Sequence, residues 1–342
     1  MNRCLRVGVI GTGNLGRHHA RIYAELAAGG EAEFVGVHDV DAKAAAEAAQ
    51  RCGVRAFPTL ESLVEACDAV SIVTPTVTHF ELARFCLERR RHVLVEKPMT
   101  EKSEQAAELV ALAQQHGCVL QVGHVERFNP VFDYLQAVAR QPRFIEVHRL
   151  SPYPARSTDV GVVLDLMIHD LDVVLAFVAA PVVSLEAVGV AVLSPSEDIA
   201  NARLRFANGC VANLTASRVS SERLRKIRVF SAAPEPCYIS LDYRAQEGFI
   251  YRLAPEDQPE SSAWNRLLAL AGRDTTVVTS HAGRKIVREP VPLNKEEPLK
   301  LELRHFLQCV RARQSPIVDG RAAKAALDLA LEITRQIQSP TL

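Results

Sequence analysis

Apolar and polar positions follow two different periods along this chain. In the first third, short apolar runs end in turn residues, and helical patterns lie between them. LRVGVIG, EFVGVHD, DAVSIVTP, RHVLVEKP and CVLQVGH read as strands, and GRHHARIYAELAA, DAKAAAEAAQRCG, HFELARFCLERR and SEQAAELVALAQQHG as helices. Strands alternating with helices predict a parallel sheet with right-handed crossovers. Near Gly123 the pattern changes. GHVERFNPVFDYLQAV predicts a strand end and then a helix, and FIEVHRL lies in an extended region punctuated by Pro142, Pro152 and Pro154. GVVLDLMIHDLDVV, residues 161–174, reads as a core helix.

From about Val182 to Leu253 the period shortens to two. LEAVGVAVL, IANARLRFANGCVANLTASR, KIRVFSA and CYISLDY alternate apolar and polar positions, and Asn208-Gly209 is a hairpin turn signal between two such runs. This predicts an antiparallel sheet. Residues 254–290 give no clear element, with PEDQPESSAWN a polar loop, and LKLELRHFLQCVRAR and DGRAAKAALDLALEITRQIQ return to helix. The expected fold is α/β. A parallel-sheet domain spans residues 1–123, and an α+β domain with a largely antiparallel sheet spans 124–342.

Composition narrows the class. The 342 residues, 48% hydrophobic, suffice for two buried cores. Lys+Arg and Asp+Glu both number 40, and this balance argues against nucleic acid as a partner. The eight cysteines form no C-x-x-C pair and read as reduced thiols of a cytoplasmic protein. MNRCLRVGVIGTG is too short in its apolar part for a signal peptide, and no apolar run reaches membrane-spanning length.

Three stretches carry candidate chemistry. The first is GTGNLG: Gly11, Thr12, Gly13, Asn14, Leu15 and Gly16 lie between a strand and a helix. That context gives the glycines their meaning as a dinucleotide-binding, Rossmann-type turn, with the pyrophosphate on the helix N-terminus. Asp39 ends the next strand, where an acid would bond the ribose hydroxyls and favour NAD over NADP. A cap of the following helix is the other reading of Asp39. The second stretch is Glu96-Lys97-Pro98, at the end of HVLV. Ligands of open α/β sheets bind beyond strand carboxyl ends, so Lys97 is placed to stabilise developing negative charge. A surface lysine is the plainer reading.

The third stretch is the helix at 161–174, with charged residues inside an apolar run. At 3.6 residues per turn, Asp165, His169 and Asp172 form one polar stripe, Leu164, Ile168, Leu171 and Leu175 an apolar face, and Asp170 points elsewhere. A structural Asp–His pair, a metal site and acid–base catalysis all fit such a row. No other His/Cys cluster has ligand spacing, so no metal is expected.

GTGNLG, TPTVTHFELA, HVLVEKP and the downstream D-x-x-x-H together resemble the glucose–fructose oxidoreductase / inositol dehydrogenase family of NAD(P)-dependent sugar oxidoreductases. The resemblance implies that Asp165 and His169 face the nicotinamide, with His169 as general base in oxidation, Asp165 orienting it and Lys97 binding the reacting oxygen. It also implies cofactor contacts for Thr74, Pro75, His79, Glu96 and Lys97. A capping Thr78 is the alternative for that loop. Arg127 and Asn129, in GHVERFNP, are candidates for substrate, with a junction salt bridge as the rival reading of Arg127. Arg156 is a further substrate candidate among His148, Arg149 and Tyr153. The basic run with Arg223, Arg225, Lys226 and Arg228 reads as a solvated face. In this family the open face of the antiparallel sheet often joins subunits, so a homo-oligomer is expected. HVERFNP and LDLMIHDLD are similar to members that oxidise a nucleotide-activated N-acetylated amino sugar at C3, toward 3-amino sugars for lipid A. Inositol or free-sugar oxidation, or a non-catalytic dinucleotide-binding regulator, are the alternatives.

Overall fold

In a computed structural model, residues 4–153, 160–254, 276–281 and 284–339 are described. The chain divides into two compact units. One holds Met1–Phe128 and Glu297–Asp328, the other Asn129–Glu296 and Leu329–Leu342.

The first unit is built on a six-stranded parallel sheet in the order β3-β2-β1-β4-β5-β6. Its strands are β1 (Arg6–Ile10), β2 (Glu33–His38), β3 (Arg55–Ala56), β4 (Ala69–Ile72), β5 (His92–Glu96) and β6 (Leu120–Gly123). Helices α1 (Gly16–Ala28), α2 (Ala42–Cys52), α3 (Leu60–Ala66), α4 (Thr76–Glu88) and α5 (Ser103–His116) connect them. The order reverses between β1 and β4, which makes the C-terminal ends of those strands the natural ligand crevice.

Helix α8 (Pro298–Ala312) belongs to this unit. Leu303, Phe306, Leu307 and Val310 recur at helical spacing and join Ala20, Ile22, Tyr23 and Leu26 of α1 in one buried cluster. At its margin Lys300 pairs with Glu25 at 2.8 Å and Arg304 with Glu31 at 2.9 Å. The units therefore differ from a single boundary at 123/124. The first runs on through a short 3-10 turn at Val125–Phe128 and regains residues 297–328. An apolar helix face does not state which core it will join.

The second unit is built on a nine-stranded sheet in the order β14-β15-β13-β12-β11-β7-β10-β9-β8. The strands are β7 (Pro142–Leu150), β8 (Val182–Val190), β9 (Ile199–Phe206), β10 (Val211–Ser217), β11 (Leu224–Ser231), β12 (Cys237–Asp242), β13 (Glu247–Leu253), β14 (Thr276–His281) and β15 (Arg284–Pro290). Only β7 and β10 pair in parallel. Gly209, at φ +83°, closes the expected hairpin between β9 and β10. Strands β14 and β15 occupy a region whose sequence offered no clear element; the whole of PEDQPESSAWN and its continuation, residues 255–275, lies outside the described residues.

One sheet face buries Ile145, Val147, Leu204, Leu214, Ile227, Val229, Ile239 and Leu241. The other carries a row of aromatic rings, Phe144, Phe230, Tyr238 and Tyr251, with successive centroids 5.7, 4.7 and 5.1 Å apart. Helices α6 (Pro130–Val138) and α7 (Ile168–Val178) belong to this unit, and α9 (Gly320–Gln338) ends in it. Among the described residues no helix is long and apolar enough to cross a membrane.

Candidate active site

The glycine loop joins β1 to α1. At Gly11, with φ +91°, an added Cβ would lie 2.4 Å from the Val73 carbonyl oxygen, and at Gly16 it would lie 2.0 Å from that of Gly11. Neither position admits a side chain. At Gly13 a Cβ would meet nothing within 4 Å, so the loop leaves open space at its apex. Asn14 and Leu15 are exposed beside it, while Thr12 is buried.

Asp39 holds this loop from the end of β2. Its Oδ2 accepts the Thr12 N–H at 2.6 Å and the Thr12 hydroxyl at 2.9 Å, and its Oδ1 accepts the Asp41 N–H at 3.0 Å. Partial burial opposes ionisation, but these donors outweigh it and hold the carboxyl below its usual range. Capping of α2 falls to Asp41, which accepts from the N–H groups of Lys43 and Ala44. Asp39 is therefore not the cap. A carboxylate has lone pairs beyond those used here. An open glycine apex, a helix N-terminus and an ionised acid fit a dinucleotide.

The ends of β4, β5 and β6 form the rest of this unit's candidate site. Thr74 and Pro75 follow β4, and the Thr74 hydroxyl lies 2.7 Å from that of Thr78. Thr78 does not cap α4; its hydroxyl donates to the Pro75 carbonyl at 2.8 Å. The His79 ring is buried, with Nδ1 2.8 Å from the Pro98 carbonyl and Nε2 2.9 Å from that of Thr74. Burial pushes its pKa down, against the pull of those two carbonyls. Both ring nitrogens thus face backbone, and His79 clamps the Thr74–Pro75 loop.

Glu96 is also buried. Its Oε1 lies 3.1 Å from His19 Nε2, and its Oε2 accepts the Lys97 N–H at 3.3 Å. A Cβ on Gly123 would come within 2.6 Å of this carboxylate, so the glycine that ends β6 makes room for it. Glu96 ties the end of β5 to α1. Lys97 then stands half-buried before a cis Lys97–Pro98 peptide.

Sequence reasoning passed over His124, which directly follows β6. Complete burial, followed by the positive charges of Lys97 and Arg127, pushes its pKa down to about 3. Lys97 and Arg127 are therefore brought together around one neutral imidazole. The position after a strand's carboxyl end was the available signal.

In the second unit, Asn129 is buried. It caps α6 by accepting the Val131 N–H at 3.2 Å, and its amide donates to the Tyr243 carbonyl at 3.0 Å. These bonds fix Asn129 at the start of α6. The expected helix at 161–174 begins with a π-helical turn, Val163–Met167, and becomes α-helical only at Ile168. The wider turn breaks the 3.6-residue period across Asp165 and His169, so the uniform polar stripe does not hold. Both side chains are half-buried, whereas Asp172 is 2% exposed and belongs to the interior. Wider turns of this kind recur at functional sites.

Asp170 has a partner that the periodicity concealed. Arg149 of β7 meets it bidentately, with Nε to Oδ2 and Nη2 to Oδ1 both at 2.8 Å, and both residues are buried. Arg149 is thus structural. Arg156 lies outside the described residues. Among the described residues no group of three or more His, Cys, Asp or Glu side chains is arranged to hold a metal ion.

Comparison with known proteins bears on both units. A family described as an oxidoreductase family with an NAD-binding Rossmann fold matches residues 5–124, and the GFO/IDH/MocA C-terminal domain matches residues 134–232. The chain is 38% identical over 336 residues to a UDP-N-acetylglucosamine 3-dehydrogenase of Acidithiobacillus ferrooxidans, a match covering 98% of each chain. A solved structure of UDP-N-acetylglucosamine 3-dehydrogenase from that organism aligns with a TM-score of 0.84 at 37% identity, again over 98% of both chains. A scyllo-inositol 2-dehydrogenase (NAD(+)) of Bacillus subtilis is 24% identical over 361 residues, covering 99% of this chain and 96% of the relative.

Proposed function

Because the chain belongs to the glucose–fructose oxidoreductase and inositol dehydrogenase family of NAD-binding oxidoreductases, we propose that it oxidises the C3 hydroxyl of UDP-N-acetylglucosamine. The observation that carries this reading is the similarity to an enzyme of that activity along almost the whole of both chains. Bound NAD supplies the hydride acceptor. As the hydride leaves C3, the hydroxyl proton passes to His169 and the carbon becomes a ketone. In the reverse direction His169 returns the proton. Asp165 orients the imidazole and favours its charged form. Lys97 binds the reacting oxygen, where its ammonium steadies developing negative charge.

Arg127 supplies a guanidinium whose planar fork suits a diphosphate. The ionised Asp39, with Asp41 beside it, repels a 2′-phosphate, which supports NAD over NADP. The half-exposed aromatic row on the nine-stranded sheet supports association of like subunits through that face. Eight free thiols support a reducing, cytoplasmic setting. A ketone at C3 is the substrate an aminotransferase needs, which fits 3-amino sugar synthesis for lipid A.

The test is formation of reduced nicotinamide, followed by absorbance, with UDP-N-acetylglucosamine, its uronic acid, myo-inositol and glucose. An aminotransferase and amine donor draw an unfavourable oxidation forward. Signal with the nucleotide sugar alone is expected. Signal with a free polyol alone would keep the chemistry and replace the substrate, a result the full-length similarity to the inositol enzyme makes specific. Silence throughout, with NAD still bound, would favour a regulator.

A further inference from the structure

The turn that carries Asp165 starts on a seam made of residues distant in sequence. Arg218, just after β10, is fully buried. Its Nε donates to Asp198 Oδ1 at 2.8 Å, its Nη1 to the Val160 carbonyl at 2.7 Å, and its Nη2 to the hydroxyls of Ser194 at 2.7 Å and Ser196 at 3.1 Å. Asp198 also accepts the N–H groups of Val192, Leu193 and Ser194 at 2.8, 2.6 and 3.0 Å, and the Ser194 hydroxyl at 2.7 Å. Burial opposes charge there, but these donors and the guanidinium hold the Asp198 carboxyl well below the usual carboxylate range.

Glu197 extends the seam to the turn itself. Its backbone carbonyl accepts the Val162 N–H at 2.9 Å, and its Oε1 accepts the Val163 N–H at 3.3 Å. A Cβ on Gly161 would fall 1.9 Å from that Oε1, so the carboxylate occupies space only glycine leaves open. The Gly161 carbonyl in turn accepts the Asp165 N–H at 3.1 Å. Every residue from Val160 to Val163 is therefore held or shaped by Glu197 or Arg218. Helices are ordinarily capped by a short polar residue at their own start. Here a carboxylate 34 residues onward does this, backed by a buried ion pair. Buried pairs are a weak source of stability, and their best use is to fix geometry.

We propose that Glu197, Asp198 and Arg218 are positioning residues that set the placement of the turn that bears Asp165 and leads into His169, and so govern proton transfer without touching substrate. The inference rests on the proposed role of His169. It predicts that Gly161→Ala, which drives a methyl group into the Glu197 carboxylate, displaces the turn. Its kcat should fall about tenfold or more, the scale of a small misplacement of a reacting group. The pH profile of kcat should move, and NAD affinity should stay within about twofold, because the nucleotide unit is untouched. Gly161→Ala/Glu197→Ala, which removes the obstacle, should turn over faster than Gly161→Ala alone.

A merely structural seam predicts something else: a lower Tm, with the folded enzyme keeping wild-type kcat and pH profile. That result overturns the proposal, as does a double variant whose losses simply multiply. If Gly161→Ala does not fold, Glu197→Gln keeps the shape and removes the charge; a displaced pH profile supports the proposal and an unchanged one overturns it. His169→Ala is assayed alongside. If it retains turnover, the reading of His169 fails. If it is inactive while Gly161→Ala behaves as wild type, the positioning inference alone fails.

Discussion

The glycine loop at residues 11–16 and the turn at residues 160–167 each launch a helix on which the proposed chemistry depends. They are held in different ways. The loop takes its path from glycines whose Cβ atoms would strike backbone, and one carboxylate, Asp39, braces it through Thr12. The turn takes its path from buried charges in other strands and loops, with Glu197 against Gly161 and Arg218 on the Val160 carbonyl. Steric exclusion at glycine leaves a fixed spacing in sequence. Long-range charge pairing leaves none. A motif can therefore announce the support of a loop in one unit, while the charges that place the turn in the other leave none.

Removing the proposed base tests the comparison most severely. His169→Ala should lower kcat by about 10²–10⁴-fold, the usual contribution of a general base, with NAD binding unchanged by fluorescence titration. Loss of NAD binding instead would mean that the two units cannot be separated functionally.

The buried charges of the second unit should dominate its stability when broken singly. Asp170→Ala leaves Arg149 buried without its carboxylate and should cost about 3–5 kcal/mol in denaturant unfolding. Arg149→Met/Asp170→Leu should recover most of that. A single variant as stable as wild type would show the pair to be dispensable.

The nucleotide unit should respond through affinity. Asp39→Ala should weaken NAD about tenfold to a hundredfold, since it loses the charged hydrogen bonds to the loop and those proposed to the ribose, and should weaken NADP less. Equal losses in isothermal titration would leave Asp39 as a brace alone.

The smallest effect concerns pH. The folded pKa of His124, about 3, lies below its ordinary value. The unfolded chain thus binds a proton, below about pH 6.5, that the folded unit refuses. Its contribution is complete above that pH and is lost as pH falls toward 3. Between pH 7 and 5, wild type should lose about 2 kcal/mol more than His124→Gln. Parallel pH profiles of unfolding would contradict the buried, neutral imidazole.

The sequence made the parallel sheet, the glycine loop, Asp39 and the strand-end position of Lys97 legible, because each rests on local rules of period, turn and spacing. It concealed other features for physical reasons. A 3.6-residue reading assumes a uniform helix, so the π turn at Val163–Met167 lay outside it. Asp170 appeared to point elsewhere because its partner, Arg149, sits on a strand whose pairing no spacing reveals. His79 and Asn129 carried polar side chains suited to ligands, yet backbone groups claim them. Helix α8 showed its apolar face but not the core it joins.

The proposed reaction takes a hydride from C3 of a nucleotide-activated amino sugar. Its most direct test is mass spectrometry of the reduced nicotinamide formed from UDP-N-acetylglucosamine carrying deuterium at C3. Deuterium in the reduced cofactor is the expected result. A cofactor that stays oxidised, or is reduced without deuterium, would contradict it.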